Sequence, residues 1–386
     1  MKIVYLDNAA TTYPKPPEIV KAVSDSFKYV GNPGRGSHRL SEKASEIVYN
    51  CRESVAGLFS ANAENVAFTM NATQALNYAI KGLTEHGDHV LIDSFAHNAS
   101  YRPLMSLVNS GFCSADIYDS RDISDLENKL RPNTKVIITT HQSNISSDTA
   151  DIEKIGQICA ENGIKFIVDA SQSAGHVPID MVKMNITSLC MPGHKGLFGP
   201  MGVGILVSAE GTKYKTVIEG GTGVNSLDTE MPDELPERLE AGTLPLAAIA
   251  GLNAGISYIT KKGVANIESK VNMLSDRLFM HLSKIEQATI YGSHSGSVVS
   301  FNVDGILPSV IGEEMSKLGI CLRTGYHCAP LAHKTLGSYE NGSVRVSLSP
   351  MNTVRDIDTF ASALSKIITN CKNVQPARQN MPKPLL

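Results

Sequence analysis

Between residues 64 and 207 the chain repeats one pattern. A short apolar run is followed by a polar or glycine-bearing turn, then by a longer stretch with helical spacing. The runs 66–69, 89–93, 135–140, 165–169, 187–191 and 203–207 read as strands, and 71–83, 101–110 and 152–161 read as helices. Lys165-Phe166-Ile167-Val168-Asp169 has no polar alternation, so both faces of that strand are expected to be buried. Strands alternating with helices imply an α/β fold with a mostly parallel sheet covered on both sides. With 386 residues the chain can build a sizeable core and two or three domains.

The remainder of the chain has a different texture. Pro16 and Pro17 suit the first turn of a helix, in which Ile19, Val20, Val23 and Phe27 keep helical spacing. Residues 31–36 read as a loop, and Ser37 or Ser41 as the cap of the next helix. Ala44, Ile47, Val48, Cys51, Val55 and Leu58 give that helix its apolar face. Residues 219–243, rich in Gly, Asp, Glu and Pro, read as a long functional loop. A small-residue helix follows at 246–259. After Gly263 the pattern becomes an α+β mixture, with strands near 298–303 and Val344 and helices at 309–318 and 354–368. We expect a large domain over 14–255, a small domain from 1–13 and 256–373, and a loosely ordered tail over 374–386.

Composition narrows the function. The formal net charge of -3 and the lack of basic runs give no electrostatic case for nucleic acid or an anionic membrane. The N-terminal apolar run is too short for a signal peptide, and 244–259 is short for a membrane span. Seven cysteines (Cys51, Cys113, Cys159, Cys190, Cys321, Cys328 and Cys371) have no close pairing, which suits a reducing, cytoplasmic compartment. There is no CxxC pair and no HExxH, so no metal site is expected. No GxGxxG or GxxxxGK[ST] loop is present, which weakens nucleotide-binding readings.

In open parallel sheets ligands bind at the carboxyl ends of the strands. The polar residues at these ends form a set. Asn71-Ala72-Thr73-Gln74 opens a helix and could be a phosphate site or a plain N-cap. His97 follows the second strand and His141 to Asn144 the third. Asp169 ends the fourth, with Gln172 after it. Lys195, in Gly193-His194-Lys195-Gly196, follows the fifth. A loop lysine is ordinarily a solvated charge, and a buried strand-end aspartate ordinarily a hydrogen-bonded one. Together, each at a strand exit, they are the parts of a pyridoxal phosphate site: a Schiff-base lysine and a carboxylate for the pyridine nitrogen.

With these residues in place, the chain resembles the class V aminotransferase family of pyridoxal phosphate enzymes, and within it the cysteine desulfurases. The resemblance runs from Tyr5-Leu6-Asp7-Asn8-Ala9-Ala10 to about residue 362. It is most specific at Asp169-Ala170-Ser171-Gln172-Ser173-Ala174-Gly175-His176, Gly193-His194-Lys195, Glu240-Ala241-Gly242-Thr243 and Arg323-Thr324-Gly325-Tyr326-His327-Cys328-Ala329. It implies fold type I, with pyridoxal 5'-phosphate held by Lys195. Asp169 would partner the ring nitrogen and His97 would stack on the ring. Asn144 and Gln172 would lie near the ring hydroxyl, with Ala72, Thr73 and His194 at the phosphate. Thr243 would reach the phosphate of the other subunit in a homodimer. Arg345 would grip the substrate carboxylate, with Asn8 and Arg35 also on the substrate side.

Cys328 resembles the nucleophile that takes sulfur from L-cysteine, leaving L-alanine; L-selenocysteine is an alternative substrate. A lone cysteine is most often a small buried hydrophobe. Cys328, however, sits in a polar loop after Arg323 and beside His327, where cationic neighbours would favour a thiolate. The short spacing from Cys328 to Arg345 resembles the family's second group, which hands sulfur to a separate acceptor protein. One departure is Pro192, where the family usually has Ser; a phosphate hydrogen bond should be missing or replaced. An aminotransferase or β-eliminating lyase, and a non-catalytic scaffold, remain the alternatives.

Overall fold

The computed structural model describes residues 3–34, 36–292 and 295–374. The chain opens with β1 (Val4–Tyr5), α1 (Pro17–Tyr29) and α2 (Arg39–Phe59). Then come β2 (Val66–Thr69), α3 (Ala72–Leu83), β3 (His89–Asp93), α4 (Asn98–Asn109), β4 (Ser114–Tyr118) and α5 (Ile123–Asn128). β5 (Thr134–Thr140), α6 (Ile152–Asn162), β6 (Lys165–Asp169), β7 (Ser188–Pro192) and β8 (Gly204–Ser208) follow. After a long irregular stretch come α7 (Leu246–Lys262), α8 (Val264–Leu282), β9 (Ala288–Tyr291), β10 (Val298–Val303) and α9 (Pro308–Lys317). The chain ends with β11 (Ile320–Cys321), β12 (Arg323–Gly325), α10 (Pro330–Leu336), β13 (Ser343–Ser347) and α11 (Val354–Val374).

Seven strands form one sheet in the order β2-β8-β7-β6-β5-β3-β4. β8 pairs antiparallel with both β7 and β2, and the remaining pairs are parallel. All strands but β8 therefore share a direction, and their carboxyl ends lie along one edge. The apolar runs are buried on both faces because successive side chains point to opposite sides. Phe166 and Val168 of β6, with Leu189 and Met191 of β7, enter one core under α2, α6 and α7. Ile167 and Cys190, between them in sequence, enter the opposite core under α3 and α4.

A second assembly is built on the antiparallel sheet β12-β13-β10-β9. Phe301, Val344 and Val346 pack there against Leu274 and Leu278 of α8 and Phe360 and Leu364 of α11. The chain start joins this core: Val4 and Leu6 are part of it, and β1 pairs parallel with β11. α7 is continuous through position 255, and its Ile256 and Ile259 belong to the first large core. We propose a large unit and a small unit on the strength of these separate cores. The expected tail lies almost wholly outside the described residues.

Several local expectations are corrected. The strand expected over 187–191 is shifted by one residue: Pro192 is the last residue of β7 and pairs with Gly204. The cap of α2 is His38, whose Nδ1 accepts from Ser41 N at 3.3 Å. Ser41 is buried instead, donating to Asn32 O at 2.8 Å. On α1 only Ile19 of the spaced set is well buried, while Val20 and Phe27 are exposed at 62% and 78%. Among the described residues no helix is long and apolar enough to cross a membrane.

Candidate active site

The strand exits converge because the strands share a direction. A cavity of about 120 Å³ lies at that edge, and eight of the expected residues line it: Ala72, Thr73, His97, Asn144, Asp169, Gln172, His194 and Lys195. Close backbone packing makes this possible at two glycines. A Cβ on Gly204 would lie 2.4 Å from the Asn71 backbone, so β8 lets the start of α3 press against the sheet. A Cβ on Gly196 would lie 2.2 Å from Ala174 O, so the Lys195 turn sits directly on the turn that follows Asp169. Asn71 caps α3 by accepting from Gln74 N at 3.0 Å, which is the plain-cap reading. Ala72 and Thr73, the first residues of the helix, nevertheless line the cavity, and a helix start carries unpaired N–H groups.

The charges in the cavity are set by burial. Desolvation lowers Lys195 to about 8, opposed by Asp169 and reinforced by Arg345. The side chain of Asp169 is buried, and its Oδ1 accepts from Ser171 N at 2.9 Å. His97 caps α4: its Nδ1 accepts from Ala99 N at 3.0 Å, which puts its proton on Nε2 and fixes the ring. Burial, and then the Lys195 charge, push His97 down to about 4, so it is neutral at pH 7. His194 is lowered to about 4 by burial and by Lys195 and Lys15. Behind the cavity, burial raises Asp93 to about 7; it takes N–H groups from Thr140 and, at 2.6 Å, Phe95.

A second set of residues, on β13 and the loop after β12, meets the cavity rim through Asn144 and Asn98. Arg345 is buried; it donates to Asp7 Oδ1 at 2.9 Å and to Asn144 O at 3.2 Å. Its Nε is buried without a partner. Cys328 is exposed at the tip of a loop in which both it and His327 are left-handed, with φ of 59° and 49°. Two bonds tie that loop to the cavity rim. Asn98 N, next to His97, donates to Cys328 O at 2.8 Å, and Asn144 Nδ2 donates to His327 O at 2.9 Å. His327 does not play the cationic role expected of it. Its ring turns inward onto Ser343 and stacks on His333, and burial pushes it down to about 2, so it is neutral beside Cys328.

Other expected residues lie elsewhere. Asn8 is buried, and its amide is spent on protein: Nδ2 reaches Ser347 O at 2.9 Å and Oδ1 takes Tyr13 N at 3.3 Å. It pins the chain start to β13. Arg35 lies outside the described residues. Thr243 is exposed and lines a separate depression of about 480 Å³ with Tyr49 and Arg52. The loop carrying it is anchored by a buried pair: Arg52 donates to Glu240 at 2.9 and 2.6 Å, and Phe68 N donates to Glu240 at 2.6 Å. Sequence reasoning missed Lys15, which donates to Thr12 Oγ1 at 2.6 Å and His194 O at 2.7 Å and is lowered by burial to about 8. Its setting, Pro14-Lys15-Pro16, was the available signal: a lysine held in a rigid turn.

A two-unit chain with a lysine and an aspartate at adjacent exits of a parallel sheet has the architecture of a fold-type-I enzyme. The class-V aminotransferase model matches residues 4–360, and the chain belongs to that family. It is 32% identical to a "Probable cysteine desulfurase" of Methanothermobacter thermautotrophicus over 94% of this chain and 94% of the relative. It is also 32% identical to a "Probable cysteine desulfurase" of Pyrococcus abyssi, over 97% of this chain and 96% of the relative. The apo structure of a cysteine desulfurase from Thermococcus onnurineus aligns with a TM-score of 0.89 at 31% identity, covering 95% of each chain.

Enzymes of this family work with pyridoxal phosphate, and the residues of the cavity fit that group. Buried acceptors and donors without protein partners, Asn144 Oδ1 and His194 Nδ1, line it. An unpaired buried polar atom is costly, so these atoms call for a polar occupant. The N-terminus of α3 suits a phosphate, and the Asp169 carboxylate suits a protonated ring nitrogen.

Proposed function

We propose that the protein is a pyridoxal phosphate-dependent cysteine desulfurase that takes sulfur from L-cysteine, releases L-alanine and carries the sulfur on Cys328. The observation that carries this reading is the double tether of the Cys328 loop. A bystander cysteine has no need to be tied to the rim of the Lys195 cavity through Asn98 and Asn144. Ala72, Thr73 and His194 would hold the cofactor phosphate, Asp169 its ring nitrogen, His97 and Gln172 its ring, and Lys195 its carbonyl carbon. When bound, the cofactor supplies an electron sink for the pair left by the substrate α-proton.

The protein side of the chemistry follows from the site. Arg345, its charge already held by Asp7, offers a forked donor to the substrate carboxylate. Lys195, lowered to about 8, is partly neutral near pH 7 and can accept the α-proton at Nζ. The Cys328 sulfur attacks the substrate sulfur. An S–S bond forms as the substrate C–S bond breaks, and its electron pair passes to carbon, which takes a proton and becomes the methyl group of alanine.

L-selenocysteine fits the same groups. The exposure of Cys328 supports transfer to an acceptor protein. The outward Val20 and Phe27, and the separate depression at Thr243, support a homodimer in which Thr243 serves the partner's site. Seven free cysteines support a reducing, cytoplasmic setting. The test is alanine formation from L-cysteine with added pyridoxal phosphate, alongside mass spectrometry of the Cys328 peptide. A sulfur adduct that disappears in Cys328→Ser, together with alanine formation, is expected. Undiminished alanine formation in the variant, with no adduct in the wild type, would make the enzyme a lyase or aminotransferase instead.

A further inference from the structure

Asn144 presents polar groups in three directions. Its backbone oxygen accepts from Arg345 at 3.2 Å, and its Nδ2 donates to His327 O at 2.9 Å. A carbonyl oxygen only accepts, so the amide must turn its NH2 toward His327 and leave Oδ1 on the other side. That Oδ1 is buried without a donor, and Asn144 lines the Lys195 cavity. On its inner side the Cys328 loop is held by the His327 ring, which meets Ser343 and stacks on His333. Toward the cavity rim it has two bonds, of which the Asn144 bond is one. Its other tether is the Asn98 N–H on Cys328 O, and its two central residues are in left-handed conformations that non-glycine residues rarely adopt.

We infer that Asn144 is a positioning residue that couples the cavity to the Cys328 loop: an occupant donating to Oδ1 fixes the amide and thereby clamps the loop through His327. The inference rests on the reading of the cavity as a pyridoxal phosphate site. A bare Oδ1 leaves the amide free to turn toward any donor, whereas bonds at both ends of one amide hold and polarise each other. The Arg345 bond to the same residue means that the carboxylate grip, the cofactor cavity and the sulfur-accepting loop meet at one side chain and its backbone.

The test is hydrogen–deuterium exchange of the peptide spanning 326–330 in the full-length protein, stripped of cofactor and then titrated with pyridoxal phosphate. Binding is read separately as visible absorbance. The Ala329 amide, bonded to Tyr326 O at 3.0 Å, is the natural reporter. The cofactor should slow exchange there about fivefold, the worth of one net hydrogen bond. Asn144→Asp keeps the shape but cannot donate to His327 O. It should speed exchange of this peptide by about the same factor and remove the cofactor's effect, without changing exchange in α4 or β5. Bound cofactor with unchanged exchange in the wild type overturns the coupling and leaves the functional reading intact. Absence of cofactor binding overturns both. Loosening spread across α4 and β5 in the variant would reduce Asn144 to a structural role. The wild-type comparison stands even where the variant binds cofactor poorly.

Discussion

Lys195 lines the cavity and the Cys328 loop is bonded to its rim, but the two are held by different means. Lys195 follows a strand paired on both sides, and Gly193 N donates to Val203 O at 2.9 Å at the foot of its turn. Moving it would disturb a ladder of cooperative bonds. Cys328 is exposed on a loop that meets the cavity rim through two bonds, each worth about 1 kcal/mol net, with left-handed backbone costing about 1–2 kcal/mol per residue and the buried His327 ring packed on Ser343 and His333 behind it. The large unit supplies a strand-anchored amine and the small unit an exposed thiol on a loop. On the proposed reading, the proton-moving amine lies on the first, and the thiol that carries the sulfur and hands it on lies on the second.

The sharpest way to break this contrast is Lys195→Ala. If the sheet-held amine moves the α-proton, alanine formation should fall by about 10⁴-fold. A loss of less than about tenfold would move the base to another residue. Next comes Arg52→Met, which leaves Glu240 buried without its cation. Stability should drop by about 3–5 kcal/mol in a urea titration, because the large unit depends on that pair to hold the Thr243 loop. An unchanged midpoint would mean that the loop is as loosely held as the Cys328 loop.

Arg345→Ala tests the small unit. The loss should be about a hundredfold in kcat/KM for L-cysteine, carried mainly by KM, since one charged hydrogen-bond set is removed. A fall in kcat with KM unchanged would give the small unit a share in the chemistry. The mildest effect is on pH. Burial lowers Lys195 from the ordinary 10.5 to about 8. Below that value the amine takes a proton and loses its reactive pair. Uptake of pyridoxal phosphate by the stripped protein, followed as visible absorbance, should therefore slow about tenfold per pH unit below about 8. A midpoint near 10 would contradict the desolvation of Lys195.

The same contrast decides what was legible in the sequence. Lys195, Asp169 and His97 could be found because unbroken apolar runs mark buried strands, and strand ends in a parallel sheet share an edge. β4 was missed: Ser114-Ala115-Asp116-Ile117-Tyr118 is an edge strand with polar, partly exposed positions and no clean period. The outward turn of Phe27 was unreadable because helical spacing gives a face but not what covers it. Asn8 drew attention through its motif, but its bond to Ser347 O, which joins segments 339 residues apart, could not be read from that motif. The tether of the Cys328 loop was equally hidden. It depends on a side chain and a backbone carbonyl separated by 183 positions, and no local pattern encodes such a bond.

β8 runs against its neighbours, and that reversal has an engineering consequence. Successive parallel strands must be joined by a crossover, which can lengthen or rearrange without disturbing the sheet. Between β7 and β8 the chain turns straight back, with Gly199 N on Gly193 O at 2.8 Å and Phe198 N on Lys195 O at 2.9 Å. The lysine is thus set in a closed ring whose circumference is fixed by two paired strands. Grafts and insertions intended to retune this enzyme belong in the long stretch before α7. A single residue added to the 193–203 ring would put the amine out of register with Asp169, however well the new residue packed.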